Sequence, residues 1–514
     1  MKKFLLLFIN CFTAASLFAQ EPADALRFSW TVPSGTARQQ AVGGAMGSLG
    51  GDLSATFMNP AGLALYKTGD LVLSPAYRFG KNKSNYFNRK ENEREKNFIL
   101  GTTGVVIGSG NGRGRVKNTA FSIGFNTTAN FKSNILYNGI NNQSSYSQKY
   151  IEELTNSGRR DSTITYLFPH GSSLAFNTYW IDPVKNASGN VTGFTSRSPV
   201  ASGVIQQQNI ISRGGIYEPS IAGAANFNDR LLVGGSISVP YLYYNKESIY
   251  NEADATTNTT RNFDFATVEE KLNTKGFGFN AKAGLIYKPQ EFWRIGVAVH
   301  SPTIYSLTDT YSTQITTDTS QTDDRSLSDY SVDYEDGSSI SKYTLITPYR
   351  IVGSISYVLR EIQDVTKQKG FLTADIEYVN YKASSFHPES DEEVVTDQET
   401  KDYLQLLNKA VDNAYKSAFN FRVGGELKFT TIMVRLGAAY YGNPYKNING
   451  EKGSKLNLSG GLGYRNKGFF ADLTYVHNIN KDVHFPYRLQ AASYKGATIK
   501  SGISNILLTL GWKI

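Results

Sequence analysis

Residues 418–440 read AFNFRVGGELKFTTIMVRLGAAY, and the alternation within them decides the fold. Phe419, Phe421, Val423, Leu427 and Phe429 share one face, while Asn420, Arg422, Gly424, Glu426 and Lys428 share the other. After Thr430 and Thr431 the pattern resumes, with Ile432, Val434, Leu436, Ala438 and Tyr440 opposed by Arg435 and small residues. A period of two is a strand, and two such runs across a two-residue junction are a hairpin. Residues 371–378 repeat the pattern, with Leu372, Ala374, Ile376 and Tyr378 against Thr373, Asp375 and Glu377.

Working outward, about fourteen such segments follow residue 69, and most reach the nine to eleven residues with which a tilted strand crosses a bilayer. The connections between them alternate in length. Residues 80–95, 132–213, 245–273, 318–342, 383–415, 444–454 and 480–499 form long gaps, and 109–115, 229, 289–291, 361–368, 430 and 466–467 mark short ones. Long loops at one end and tight turns at the other are the signature of an outer-membrane barrel. A soluble sandwich has no reason to keep that rhythm. The last strand places Ile506, Leu508, Leu510, Trp512 and Ile514 on one face up to the final residue. The expectation is an all-β, transmembrane antiparallel β-barrel of about fourteen strands.

The physics of lipid explains the pattern. No water inside a bilayer can satisfy a backbone N–H or C=O, so each strand pairs on both sides and the sheet closes. The apolar face meets lipid, where an Arg or Lys near the midplane costs about 2–4 kcal/mol. Asp375, Glu377, Arg422, Glu426, Arg435 and Asp472 all fall on the inward face in this phase. They are expected to form ion pairs in the lumen or to anchor whatever fills it.

Export is written at the start of the chain. Lys2 and Lys3 precede an apolar run from Phe4 to Phe18, and Ala19-Gln20 is a plausible cleavage point, so 1–19 reads as a signal peptide. Cys11 is the only cysteine of the 514 residues and sits inside that run, so no disulfide is expected in the mature chain. The 32 Tyr and 29 Phe suit a protein with rings at a lipid–water boundary. The formal net charge of +9 is a small excess among many charges of both signs. No basic cluster interleaved with aromatics points to nucleic acid. Within the long gaps, Tyr146–Leu154 and, more clearly, Lys401–Tyr415 carry helical spacing.

Residues 20–69 differ from the rest. They contain the small-residue run from Ala41 to Leu53, then Asn59-Pro60-Ala61-Gly62-Leu63. Small residues let a chain fold into a narrow space. Pro60 holds Asn59 away from helical geometry, Gly62 can take positive φ and turn the chain, and the Asn59 amide can bond to a barrel wall. This segment is expected to be an N-terminal hatch plugging the lumen, with 70–514 forming the barrel and its external loops.

The small-residue run, Asp52 and the Asn59-Pro60-Ala61-Gly62 sequence ahead of a first strand resemble the hatch of FadL-type outer-membrane transporters of long-chain fatty acids and other hydrophobic compounds. A weaker echo lies at His300-Ser301-Pro302-Thr303. The resemblance implies passive uptake in the outer membrane of a Gram-negative bacterium, with both termini periplasmic. A hydrophobic ligand would enter an apolar lumenal pocket, and movement of the hatch would release it sideways through a gap in the wall. By the same resemblance Asn59, Pro60 and Ala61 would hold the hatch. Phe28, Trp30 and Phe57 are candidates for the pocket beside it. Outer-membrane lipid, lipopolysaccharide and the barrel assembly machinery are the expected partners besides the ligand.

Other signals are set aside. Gly108, Gly110, Gly112 and Gly114 resemble a phosphate loop but lack the Lys-Ser/Thr ending and a following helix. His170, His300, His387, His477 and His484 show no metal-ligand spacing. No nucleophile–base constellation stands out, with Ser338 to Ser341 read as loop, so neither an enzyme nor a cofactor or metal site is expected. A secretion or surface-attachment barrel of related fold, and a haem receptor using His170 or His484, are the alternative readings.

Overall fold

The computed structural model describes residues 20–30, 34–110, 114–256, 262–319, 327–330, 338–359, 369–389, 398–446, 453–490 and 493–514. The expected signal peptide at 1–19 lies outside them.

Fourteen antiparallel strands close on themselves. In chain order they are β1 (Asp70–Leu73 continued by Pro75–Tyr86), β2 (Arg89–Leu100 and Thr103–Gly110), β3 (Val116–Asn130 and Ser133–Asn141) and β4 (Val204–Phe227). Then come β5 (Leu231–Ser238 and Tyr241–Asp254), β6 (Phe265–Tyr287), β7 (Trp293–His300 and Ile304–Asp318), β8 (Ser338–Ile346 and Arg350–Leu359) and β9 (Gly370–Asn380 and Ser385–Pro388). The set ends with β10 (Ser417–Phe429), β11 (Ile432–Tyr441), β12 (Lys455–Asn466), β13 (Phe469–His484) and β14 (Ala497–Lys513). Each pairs with its neighbours in sequence, and β14 returns to β1 through Leu71↔Trp512 and Tyr77↔Ile506. Closure is the answer to unpaired edges in lipid.

The outside of the cylinder is apolar. Phe421, Val423, Leu427, Val434, Leu436, Leu462, Leu473 and Ile506 are all exposed, Leu436 at 69 %. Aromatic rings mark two heights of this belt. Trp293 with Tyr357 (5.0 Å) and Phe469 with Trp512 (5.6 Å) lie toward the short turns, while Tyr77 with Phe98 (5.0 Å) and Tyr241 with Phe277 (4.9 Å) lie toward the long loops. On β6 the belt runs from Phe277 to Tyr287, which at ~3.3 Å per residue and a tilt of about 40° covers about 25 Å of bilayer.

Several long gaps are strand rather than loop. Residues 80–95 lie in β1 and β2, joined by a tight turn at Phe87 and Asn88, both with positive φ. β4 begins at Val204, and Ser338 to Ser341 open β8. The reason is environmental. Beyond the belt no lipid demands an apolar outward face, so alternation fades although backbone pairing continues. The loops that remain carry helices α4 (Ser147–Ser157), α5 (Ser172–Asn177) and α6 (Gln398–Ala414). Tyr146, Tyr150 and Leu154 pack with Trp180, Tyr250 and Tyr487 to fold the longest loop into a cap. Buried Glu252 braces it, accepting from Ser198 Oγ (2.7 Å), Tyr250 Oη (2.7 Å) and Gln206 Nε2 (2.9 Å).

Replacing Leu436 by Arg should destabilise the barrel by about 2–4 kcal/mol in urea titrations in phospholipid vesicles. Arg in place of Tyr166, exposed on the cap, should stay within about 0.5 kcal/mol of the parent.

Candidate functional site: a filled lumen and an unpaired seam

The described residues of the N-terminal segment, 20–30 and 34–69, lie inside the barrel and touch its wall all the way round. They form short helices, α1 at Pro22–Ser29, α2 at Ala37–Ala41 and α3 at Ala55–Met58, and a 3-10 turn Pro60–Leu65. Ala37 N donates to Thr509 (2.8 Å) and Thr474 donates to Ala37 O (2.6 Å). On other strands, Arg294 reaches Leu49 O (2.6 Å), Thr56 meets Ser122 (2.8 Å), and Asn118 reaches Ala64 O (3.4 Å).

Glycines of the wall let backbone lie against backbone. Gly424 and Gly437 face one another across β10 and β11, and a side chain on them would stand 2.3 Å from Val42 O and 2.1 Å from Gly43 N. Gly234 and Gly284 are paired across β5 and β6 in the same way, under Pro60 and Asn59. On β7, Gly296 sits under Gly47. These cross-strand pairs form flat patches on an otherwise studded inner surface.

The inward charges divide between two tasks. Arg422 pairs with Glu377 (2.9 Å), and Arg435 bridges Glu426 and Asp472 (2.6 Å each). All five are buried within the wall. Asp375 does something else. Its carboxylate accepts from Met46 N and Gly47 N (3.1 Å each) and from Ser354, so a wall charge grips the backbone of the filling segment. Arg38 connects the two systems, donating to Gly51 O (3.1 Å) and lying 3.6 Å from Glu426.

Asp52 and Asn59 organise the segment itself. Asp52 accepts from Thr36 Oγ1 (3.0 Å), Ser54 N (2.9 Å) and Ser54 Oγ (2.6 Å), tying the two sides of the Gly-rich bend. Asn59 Nδ2 donates to Gly47 O (2.6 Å) and, across to the wall, to Leu285 O (3.3 Å) and Val297 O (3.4 Å). Its Oδ1 accepts from Ala61 N, capping the turn that Pro60 opens. Gly62 does not take positive φ. It lies in that turn, and the left-handed positions of the segment are Gly35, Gly43, Gly44, Gly50 and Gly51 instead. Gly62 is needed bare because Gly50 Cα would stand 2.7 Å from its side chain. His300 Nε2 donates to Met58 O (2.8 Å), joining the second echo motif to the first.

Above this level the lumen is shut by apolar packing. Leu26 and Phe28 of α1 meet Tyr403, Leu404, Leu407 and Val411 of α6, within a ring of wall residues that includes Ile216, Tyr244, Leu272 and Tyr305. Tyr403 Oη donates to Gln20 O (2.6 Å). Burial raises the Asp24 carboxyl on α1, against the pull of the adjoining Arg27. A small cavity of about 80 Å³ remains below α1. Phe28, Phe57, Ile216 and Tyr305 supply its apolar lining, and Asn126, Thr128 and the Glu218–Lys282 ion pair its polar side. Breaks in three wall strands, at Pro240, at Ser301 to Thr303 and at Thr347-Pro348, border it. Trp30 is not among the lining residues. It packs against Tyr381 and under the Lys455 ammonium, 3.5 Å from the ring centre. His170 and His484, considered above as haem ligands, bond to Ser339 and Tyr137.

The wall opens beside this cavity. β2 and β3 pair from Gly110↔Asn118 up to Thr103↔Phe125, and there the ladder stops. Farther up, β2 bonds only to β1 and β3 only to β4. A bulge between Thr127 and Ala129 turns β3 away. Side chains bridge the seam, with Thr127 Oγ1 donating to Leu100 O (2.7 Å), Thr102 Oγ1 to Asn126 Oδ1 (3.2 Å) and Lys132 Nζ to Lys96 O (2.8 Å). The inner segment closes it from behind. Gly35 O accepts from Thr102 N (3.0 Å) on one lip, while Ser34 Oγ donates to Asn126 Oδ1 (2.7 Å) and to Thr127 O on the other. Phe98, 81 % exposed, and Leu100 flank the seam outside, placing its lower end in the apolar belt.

Sequence reading found the inward charges and the Asn59 motif as a group. It missed Ser34, Gly35 and the glycine pairs. The only trace is Ser34-Gly35 itself, a turn-forming pair that any loop could contain.

The closed fourteen-strand barrel has the fold of solved structures of FadL type. Among solved structures, that of a Pseudomonas aeruginosa FadL homologue aligns with a TM-score of 0.55 and 12 % identity, covering 94 % of this chain and 99 % of the other. The P. putida toluene transporter TodX aligns with a TM-score of 0.53 and 11 % identity over the same shares. A deltaS2 mutant of the TodX monoaromatic hydrocarbon channel gives 0.54 and 10 %. At such identities the likeness is one of fold. No protein-family model matches the chain, and no curated protein matches it in sequence.

Valine at both Gly424 and Gly437 should push the inner segment off the wall, at a cost of about 1–3 kcal/mol. The expected result is a barrel that still forms but passes large antibiotics and shows raised single-channel conductance. Unchanged exclusion would mean that these glycines do not seat the segment.

Proposed function

We propose that this protein takes up small hydrophobic molecules across the outer membrane, and that its N-terminal segment is the hatch that gates their release. The observation that carries the reading is the seam between β2 and β3. It opens within the apolar belt, adjoins a cavity through Asn126 and Thr128, and is stitched shut by Ser34 and Gly35 of the lumen-filling segment. A water-filled porin has no use for such a place. A molecule poorly soluble in water gains by leaving sideways into lipid.

In this reading a ligand lands at the loop end and displaces the apolar contacts between α1 and α6. It then occupies the space around Phe28 and Phe57. An apolar cavity that takes up benzene measures about 150 Å³. The present cavity, at about 80 Å³, is smaller than that, in keeping with a closed hatch. Arg350 holds Ser29 O beside the cavity and Ser34 holds Asn126 at the seam, so the same inner segment contacts both places. The named relatives, a FadL homologue and a toluene transporter, favour a long-chain fatty acid or a monoaromatic hydrocarbon as cargo. Both termini would then lie in the periplasm, with the folded loops outside.

The test exploits the position of the single native cysteine, Cys11, which lies ahead of the expected cleavage point and so would leave introduced thiols without a competitor. Cysteines in place of Thr102 and Asn126, whose side chains touch across the seam, should form a disulfide that abolishes toluene and oleate uptake in whole cells. Reductant should restore uptake to the parent rate. Full uptake with the bridge formed would rule out the seam as the exit.

A further inference from the structure

We propose that the outer wall around β13, β14, β1 and β2 is a binding site for a phosphate-bearing lipid of the leaflet at the long-loop end of the barrel. The choice of lipid rests on the outer-membrane reading above.

Lys481 of β13 stands directly opposite Lys500 of β14, and Lys500 directly opposite Lys83 of β1. All three are exposed on the outward face. One residue pair nearer the belt, Lys81 faces Arg94 of β2, and the next pair is Phe79 with Lys96. None of these six cations makes an ion pair among the described residues. Like charges directly opposite on adjacent strands repel and destabilise the sheet. A row of three lysines therefore needs a counter-charge from outside the chain.

The acids that alternate with these cations in sequence are turned the other way. In the run Glu91-Asn92-Glu93-Arg94-Glu95-Lys96, every Glu points inward and both cations point out. Glu91 accepts from Asn138 (2.8 Å), Glu93 from Asn134 (3.1 Å), and Glu95 pairs with Arg78 (3.4 Å). The strand thus spends its negative charge on the seam and lumen and leaves its positive charge facing the membrane. No outward-facing position of β12, β13, β14 or β1 carries an acid.

Directly below the cations the surface turns aromatic and apolar. Tyr77 stacks with Phe79 (5.9 Å) and meets Phe98 (5.0 Å), followed by Tyr475, Ile506, Leu473 and Leu508. Cations above and rings below match a lipid whose phosphates sit at the interface and whose acyl chains run down the belt. A sugar headgroup with two phosphates would span the row of lysines. Because β2 is one lip of the seam, the bound lipid would stand beside the exit.

The probe is bisphosphorylated lipid A titrated into phosphatidylcholine vesicles holding the full-length barrel, with retention read by native mass spectrometry. The expected result is saturable retention, absent for dephosphorylated lipid A and not displaced by millimolar inorganic phosphate. Each charge removed in K83Q, K481Q and K500Q should weaken retention about fivefold, and the three together should abolish it. The K83R/K481R/K500R variant should retain the lipid, and a heat-modifiable gel shift checks that each barrel is folded. Equal retention of the dephosphorylated lipid, displacement by phosphate, or full retention by the folded glutamine variant would overturn the site. Toluene uptake into the same vesicles separates the two readings. Lipid retained by a barrel that carries nothing would sink the transport reading and leave this site standing.

Discussion

Everything in this structure depends on one constraint: a backbone N–H or C=O placed in lipid has to find a partner within the protein. Fourteen strands meet it by closing into a cylinder, with Leu71 returning to Trp512. The constraint also gives the one failure its meaning. Where β2 and β3 part above Thr103 and Phe125, side chains and the inner segment take several of the freed backbone groups. Thr127 takes Leu100 O, and Gly35 takes Thr102 N. A break maintained with that much substitution is a built feature, and its partners show what holds it shut.

The lumen is filled without being cemented. Flat glycine patches let the N-terminal backbone approach the wall closely, which gives dispersion contact but few strong bonds. Most inward charges satisfy one another inside the wall, as Arg435 does with Glu426 and Asp472. Asp375 and Arg294 are the charged groups that reach across to hold backbone of the filling segment near Met46 to Leu49. The lower part, around Asp52 and Asn59, is therefore braced, whereas the upper part, Gln20–Trp30, joins apolar packing against α6 to bonds from Gln20 to Asp309 and from Arg350 to Ser29 O.

The outer surface repeats the division of labour. The belt is uniform where only lipid matters. It becomes specific at β13 to β2, where cations crowd at its upper edge while their sequence neighbours Glu91, Glu93 and Glu95 turn inward. Face selection by a period of two lets one short segment serve the seam with one sign of charge and the membrane with the other.

Much of the fold was legible in the sequence because alternation is local. Phe419 to Phe429 sort onto two faces by parity alone, and lipid demands that parity wherever a strand crosses. The strand number and the inward placement of Arg422 and Arg435 follow directly. The same argument runs out beyond the belt, so 80–95 read as a gap although it is a hairpin. Gly62 looked like a turn glycine, yet it is bare because Gly50 packs on it, a contact between residues twelve apart. What only the tertiary structure decided is where β2 and β3 separate, and that Ser34 and Gly35 stand behind the separation. No local pattern encodes these, because each depends on which distant backbone groups are left without partners once the barrel has closed.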